Sequence, residues 1–170
     1  PVWDGDKDFI LLLKEIRDKL PKEKHISVAM AEFIPSSVVW MVENFHKLEN
    51  HNSQVNYRNV AQYADQIVVM VYDTGIQWDW PYKWLVKEQT IWVTALLSGK
   101  EVFIAVPAYK KTGVSFNPVV ENVRNGLKGI TDGLNNLRSD EGNFAGVAIY
   151  PYWELGDEDW GAYKELWLAK

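Results

Sequence analysis

The sequence predicts an α/β fold: a leading helix, then four strand-and-helix units whose strands lie parallel. Three observations predict it. Short apolar runs alternate with longer stretches whose apolar residues recur at spacings of three and four. Each strand-like run is followed by a helix-like one, so successive strands are joined by crossovers rather than hairpins. The run Gln66–Tyr72 (QIVVMVY) is continuously apolar and β-branched, as a strand covered on both faces should be.

Taken in order, Asp6 and Asp8 are acidic starts for a helix whose Phe9, Ile10, Leu12, Leu13, Ile16 and Leu20 form one stripe, ended by Pro21. His25–Phe33 (HISVAMAEF) reads as a buried strand. Pro35, Ser36 and Ser37 open a second helix carrying Val38, Val39, Met41, Val42 and Phe45. Glu49–Gln54 is a polar loop and Tyr57–Tyr63 a short helix. After the Gln66–Tyr72 strand, Trp84–Leu97 is a helix closed by Ser98 and Gly99. Glu101–Val106 (EVFIAV) is a strand stopped by Pro107. Val119–Leu137 is a helix weakened by Gly126, Gly129 and Gly133. Ala145–Tyr150 is the fourth strand. Asp157–Leu168 is a last, Trp-rich helix, and Asp157, Glu158 and Asp159 complement the positive end of its dipole.

Composition narrows the partners. The chain has 170 residues, enough for one domain with a real core. A net charge of −5 without a basic run argues against nucleic acid or an anionic membrane, because counterion release needs clustered Lys and Arg. Nothing approaches the roughly 18 apolar residues of a spanning helix. With no Cys there are no disulfides or thiolate metal sites, and His25, His46 and His51 lack ligand spacing. No strand is followed by a Gly-rich phosphate loop. No cofactor or metal is therefore expected. Cys-free composition suits an exported protein, so an extracellular or cell-envelope location is expected.

Two architectures use this rhythm: a small open sheet, or part of a (β/α)8 barrel, which needs about 250 residues for its eight units. In either, chemistry sits at the strand ends. Those ends carry Glu32, then Tyr72 and Asp73, then Tyr109, then Tyr150, Trp153 and Glu154. The loop after the second strand adds Trp78 and Trp80. Aromatic platforms bury the C–H faces of sugar rings, while carboxylates and phenols bond their hydroxyls. A rim of this kind suits a carbohydrate.

These residues carry a family likeness. Gln66–Gly75 (QIVVMVYDTG) resembles the sixth strand of chitinase-type glycoside hydrolases, family 18, which carry Met-x-Tyr-Asp there, matched by Met70, Tyr72 and Asp73. Val60–Asp65 is similar to the lead-in to that strand. Val102–Tyr109 (VFIAVPAY) is similar to the seventh strand, which often ends in Pro-x-Tyr. Phe144–Gly156 (FAGVAIYPYWELG) resembles the eighth, and Leu11–Met30 fits the helix after the fourth strand together with the fifth. The likeness spans nearly the whole chain and is nearer to spore-cortex and cell-wall glycosidases than to true chitinases. It implies the second half of a (β/α)8 barrel, strands five to eight, within a glycosidase acting on N-acetylglucosamine-containing polysaccharide, chitin or peptidoglycan.

The family's fourth-strand motif, Asp-x-x-Asp-x-Asp-x-Glu, does not occur, and the resemblance places Pro1–Gly5 just after it. Its final Glu is the general acid, so this chain alone is expected to be inactive. The implied chemistry is retaining and substrate-assisted: the acid protonates the glycosidic oxygen while the N-acetyl carbonyl attacks the anomeric carbon. Carried over by position, Tyr72 bonds the N-acetyl group and Asp73 holds the sugar and its polar network. Trp153 or Tyr150 stacks beneath the reactive sugar. Tyr109, Trp78 and Trp80 line neighbouring subsites, and Glu32 and Glu154 are polar groups at the strand ends. Two other readings stay open: a non-catalytic, carbohydrate-binding chitinase-like protein, and an unrelated doubly wound α/β domain of receiver or flavodoxin type. Four strands of a barrel leave two unpaired edges and a bare inner face. A partner is therefore expected, either the missing first half or a second copy.

Overall fold

The computed structural model describes residues 6–33 and 52–169. The second predicted helix, from Pro35 to Phe45, lies outside them, as does the first half of the Glu49–Gln54 loop. The described elements are α1 (Lys7–Lys19), β1 (Ser27–Ala31), α2 (Gln54–Ala61), β2 (Gln66–Met70), α3 (Asp79–Leu96), β3 (Glu101–Pro107), α4 (Val123–Leu134), β4 (Phe144–Tyr150) and α5 (Asp157–Tyr163). A turn of π-helix over Lys164–Leu168 extends α5.

All four strands lie parallel in one sheet, in the order β1-β2-β3-β4. The order never reverses. Right-handed crossovers between strands laid down in sequence place every crossover helix on the same side. A doubly wound sheet instead needs a reversal, so that helices cover both faces. The two faces differ accordingly. Ile67, Val69, Val102, Ile104 and Val106 are wholly buried, and α4 packs against this face, with Gly126 over Val106. On the other face the aligned residues Val68 and Phe103, and likewise Met70 and Ala148, keep part of their surface exposed.

Helix starts follow capping chemistry. Asp6 caps α1 by accepting the Asp8 N–H, and Ser53 caps α2 by accepting from Asn56. Gln54, expected in a loop, is therefore the first residue of a helix. The helix α3 starts at Asp79, five residues before the expected Trp84, because Pro81 in its first turn needs no donor. The Asn122 side chain caps α4 at the Asn125 N–H, later than the expected Val119.

Two expectations are corrected. The stripe of α1 buries only Leu13 fully, and Leu12 and Ile16 stand exposed. The glycines of α4 are contact surfaces rather than weaknesses. A Cβ on Gly129 would lie 2.7 Å from the Lys83 carbonyl, and one on Gly133 would lie 2.7 Å from Thr90 Cβ. Their bare backbone lets α4 pack against α3, and this close fit offsets their low helix propensity.

Candidate functional site

Three consecutive strand ends bring three tyrosines together. Pro107 of β3 pairs with Tyr150 of β4, and Tyr72 lies two residues beyond the Met70–Ala105 pair. The period of two along β2 turns Tyr72 to the same face as Val68 and Met70, the partly exposed one. Tyr72 and Tyr150 stack with ring centroids 5.2 Å apart. Tyr109 stands edge-on to both, 6.3 Å from each. Phe116 stacks on Tyr109 at 4.1 Å and Trp153 meets Tyr150 edge-on at 5.7 Å.

Asp73 lies beside this cluster, and its charge is felt at Tyr72 and Tyr109. It is exposed and takes a left-handed conformation, φ +60°, which a residue other than glycine adopts at some cost. Its carboxylate lies near the Tyr109 hydroxyl and raises the pKa of that phenol. The turn then closes through Gly75, at φ +70°, whose N–H donates to the Ser115 carbonyl at 2.8 Å. Beneath the strand end, the buried Tyr82 of α3 donates its hydroxyl to the Val71 carbonyl at 3.0 Å and fixes the exit of β2.

Glu121 lies under the same turn and was not singled out from the sequence. It is fully buried. Its Oε1 accepts the Thr74 hydroxyl at 2.9 Å and its Oε2 accepts the Thr74 N–H at 3.3 Å. Among the described residues no cation pairs with it. Burial pushes its pKa up to about 7; the bonds from Thr74 pull it down, and the Asp73 charge adds to the rise. The one signal available in the sequence was an acidic residue set among Val119, Val120 and Val123 just ahead of the capping Asn122. The predicted helix over Val119–Leu137 had absorbed it.

Burial also raises the phenols. Tyr72 is pushed up to about 12 by burial, then by Tyr150 and Asp73. Tyr109 is raised by burial and by the neighbouring Asp73 carboxylate. At neutral pH these tyrosines are therefore neutral donors, next to one exposed carboxylate acceptor. Such a group can bind hydroxyls and amides while offering ring faces to C–H surfaces.

The remaining predicted residues divide. Tyr150, rather than Trp153, meets Tyr72 face to face, and Trp153 lies outside it, 64% exposed, against Tyr152. Glu154 Oε2 accepts the Lys110 N–H at 2.9 Å and ties together the loops after β3 and β4. Glu32 is buried rather than solvated, and its charge is felt at Tyr57 and Tyr82. Trp78 and Trp80 are 71% and 72% exposed and make no ring contact with the cluster. Trp80 instead lines a groove of about 570 Å³ with Trp84, Lys128 and Glu165, on the outer surface of α3 and α4. A second concavity, about 590 Å³, lies at the opposite end of the sheet, around Asp65, Lys100 and Asn143. Among the described residues no cluster of acidic and histidine side chains is placed to hold a metal, and no helix is long and apolar enough to cross a membrane.

No protein-family model matches the chain, and no curated protein or solved structure shows significant similarity to it.

Proposed function

We propose that this sheet is the second half, strands five to eight, of a (β/α)8 barrel of the chitinase-type glycoside hydrolase kind, and that its tyrosine-lined rim holds a sugar of an N-acetylglucosamine-containing polymer, chitin or peptidoglycan. The single observation that carries the reading is the meeting of Tyr72, Tyr109 and Tyr150 around Asp73, from three successive parallel strand ends. Two further features support it. Strand order without reversal is what a barrel requires, and it removes the switch point at which a doubly wound domain binds its ligand. The partly exposed face of the sheet also corresponds to a barrel interior, which either the first half of the barrel or a second copy would cover.

In this reading the chain supplies binding and positioning. Tyr72 donates to the N-acetyl carbonyl of the sugar, orienting that oxygen toward the anomeric carbon. Asp73 accepts from a sugar hydroxyl or from the N-acetyl N–H. Tyr150, with Trp153 beyond it, stacks on the ring, and Tyr109 lies beside Asp73. The proton for the leaving oxygen comes from an acid on the fourth strand, because Glu121 is buried beneath the turn and cannot reach a substrate. The same site without that acid would be a binding module, and turnover by the complete protein separates the two. If the protein is exported, its polymer would be met outside the cell or in its envelope.

The test is a titration of the chain with N-acetylglucosamine oligomers, followed by tryptophan fluorescence, with circular dichroism confirming the fold. Binding is expected, and Tyr72→Ala should weaken it about tenfold, equivalent to ~1.4 kcal/mol. A folded chain that binds no such oligomer at millimolar concentration would overturn the proposal.

A further inference from the structure

We propose that Glu121 is the positioning residue of this site: from beneath the turn it grips the Asp73–Thr74 backbone, holds Asp73 in its left-handed conformation, and so fixes where the Asp73 carboxylate meets Tyr109. The inference rests on reading Tyr72 and Asp73 as the sugar site, and it adds the element that sets their geometry.

The geometry is specific. A residue at φ +60° relaxes into a commoner backbone region unless its surroundings hold it there. Here the N–H of the peptide that joins Asp73 to Thr74 and the Thr74 hydroxyl both converge on one carboxylate. The Thr74 hydroxyl oxygen in turn accepts the Ile76 N–H at 3.3 Å, so the grip extends across the turn. A buried carboxylate is costly unless it is well bonded. Both carboxylate oxygens accept here, which the single acceptor oxygen of a neutral amide does not reproduce, and the carboxylate also keeps a proton-binding group in contact with the site.

The groups facing it come from every packed element. Asp73 lies above it on the turn, and Tyr82 faces it from α3. The Asp73 charge is felt at Tyr109, and Glu32 and Glu121 are both felt at Tyr82. None of these is cationic. A second negative charge at Glu121 therefore repels Asp73, and protonation of Glu121, which titrates at about 7, relaxes that repulsion.

The experiment uses tyrosine labelled with carbon-13 at the hydroxyl-bearing carbon, so that the Tyr109 resonance reports the position and charge of the neighbouring Asp73 carboxylate. In the unmodified chain this resonance should show an inflection near pH 7. Glu121→Gln keeps an acceptor oxygen for the turn, so the resonance should hold its pH 5 position and lose the inflection. Glu121→Ala removes the grip, so the resonance should move at every pH. If Glu121→Ala leaves the Tyr109 resonance unmoved at pH 5 in a folded protein, the inference is overturned. Should Glu121→Ala fail to fold, Thr74→Val decides: displacement of Tyr109 supports the inference, and an unmoved resonance overturns it. Oligomer titrations run alongside keep the two readings apart. A tenfold loss of affinity in Glu121→Ala, with Glu121→Gln within about threefold of the unmodified chain, supports both. A chain that binds no sugar overturns the functional reading and leaves Tyr109 to judge this one.

Discussion

The two ends of the parallel sheet treat their carboxylates in opposite ways. At the N-terminal end Asp65 accepts the Ile26 N–H at 2.8 Å and pairs with Arg17, tying α1 to the starts of β1 and β2. Ser27, Gln66 and Glu101 continue the line across three strands, with bonds of 2.7 and 3.0 Å. At the C-terminal end Glu121 is buried without a cation among the described residues, Asp73 is held at positive φ, and aromatic faces stay open. One end satisfies its charges and holds the sheet together. The other keeps a buried carboxylate bonded to the turn and a residue at positive φ, which lowers stability and, in the proposed reading, prearranges a site. Parallel α/β proteins place function at the C-terminal ends of strands, and here the local chemistry agrees with that rule. Concavity alone would have misled, since a large depression lies at the N-terminal end.

The comparison can be broken most strongly at its stable end. Asp65→Ala leaves the Ile26 N–H without its acceptor and Arg17 without its partner. It should cost about 1–3 kcal/mol in denaturant unfolding and leave oligomer binding unchanged. An equal loss of binding would mean that the two ends are not separable.

Acid and base should act on opposite ends. Burial pushes Asp65 up, but the Ile26 N–H and the Arg17 guanidinium outweigh it and hold the carboxyl below its ordinary value. Its contribution is present above the unfolded pKa, about 4, and is lost as pH falls through the lower folded value. Glu121 behaves the other way. Its folded pKa of about 7 lies above the ordinary glutamate value of 4.5, so the folded protein holds a proton there that the unfolded chain releases. Stability therefore falls as pH rises from about 4.5 to 7. Unfolding midpoints measured across pH should show both limbs. Asp65→Asn should flatten the acid limb only, and Glu121→Gln the limb up to neutrality only.

The smallest effect sharpens the edge of the site. Trp80→Ala should leave oligomer affinity within about twofold, because Trp80 lines the outer groove of α3 and α4. Trp153→Ala, which removes a ring in contact with Tyr150, should weaken binding severalfold. Titration of both variants, with the reverse ranking as the adverse result, checks this assignment.

Much of the fold was legible from alternation. The strands are short apolar runs with nearly one hydrogen-bonding solution, and the helices carry stripes at the expected period, so β2 and β3 appear within a residue or two of their predicted ends. Boundaries moved where capping and proline chemistry decided them, as at Ser53 and Asp79. The tyrosines were legible because they terminate strands. Glu121 was not, because its partner Thr74 is more than forty residues away and no local spacing marks a carboxylate that bonds a distant backbone. The glycines of α4 were misread for a similar reason. Their low propensity is local, whereas the close approach of Lys83 and Thr90 that they permit is not.

The sequence by itself determined the order of elements, the parallel pairing and the aromatic ends of the strands, because periodicity and strand termini are properties of neighbouring residues. Only the tertiary structure decided that Tyr150 rather than Trp153 faces Tyr72, that Trp80 turns to the outer groove, and that a buried carboxylate grips the turn at Asp73. Those outcomes depend on strand register and on burial, which arise from contacts between distant segments and are written in no single stretch of the chain.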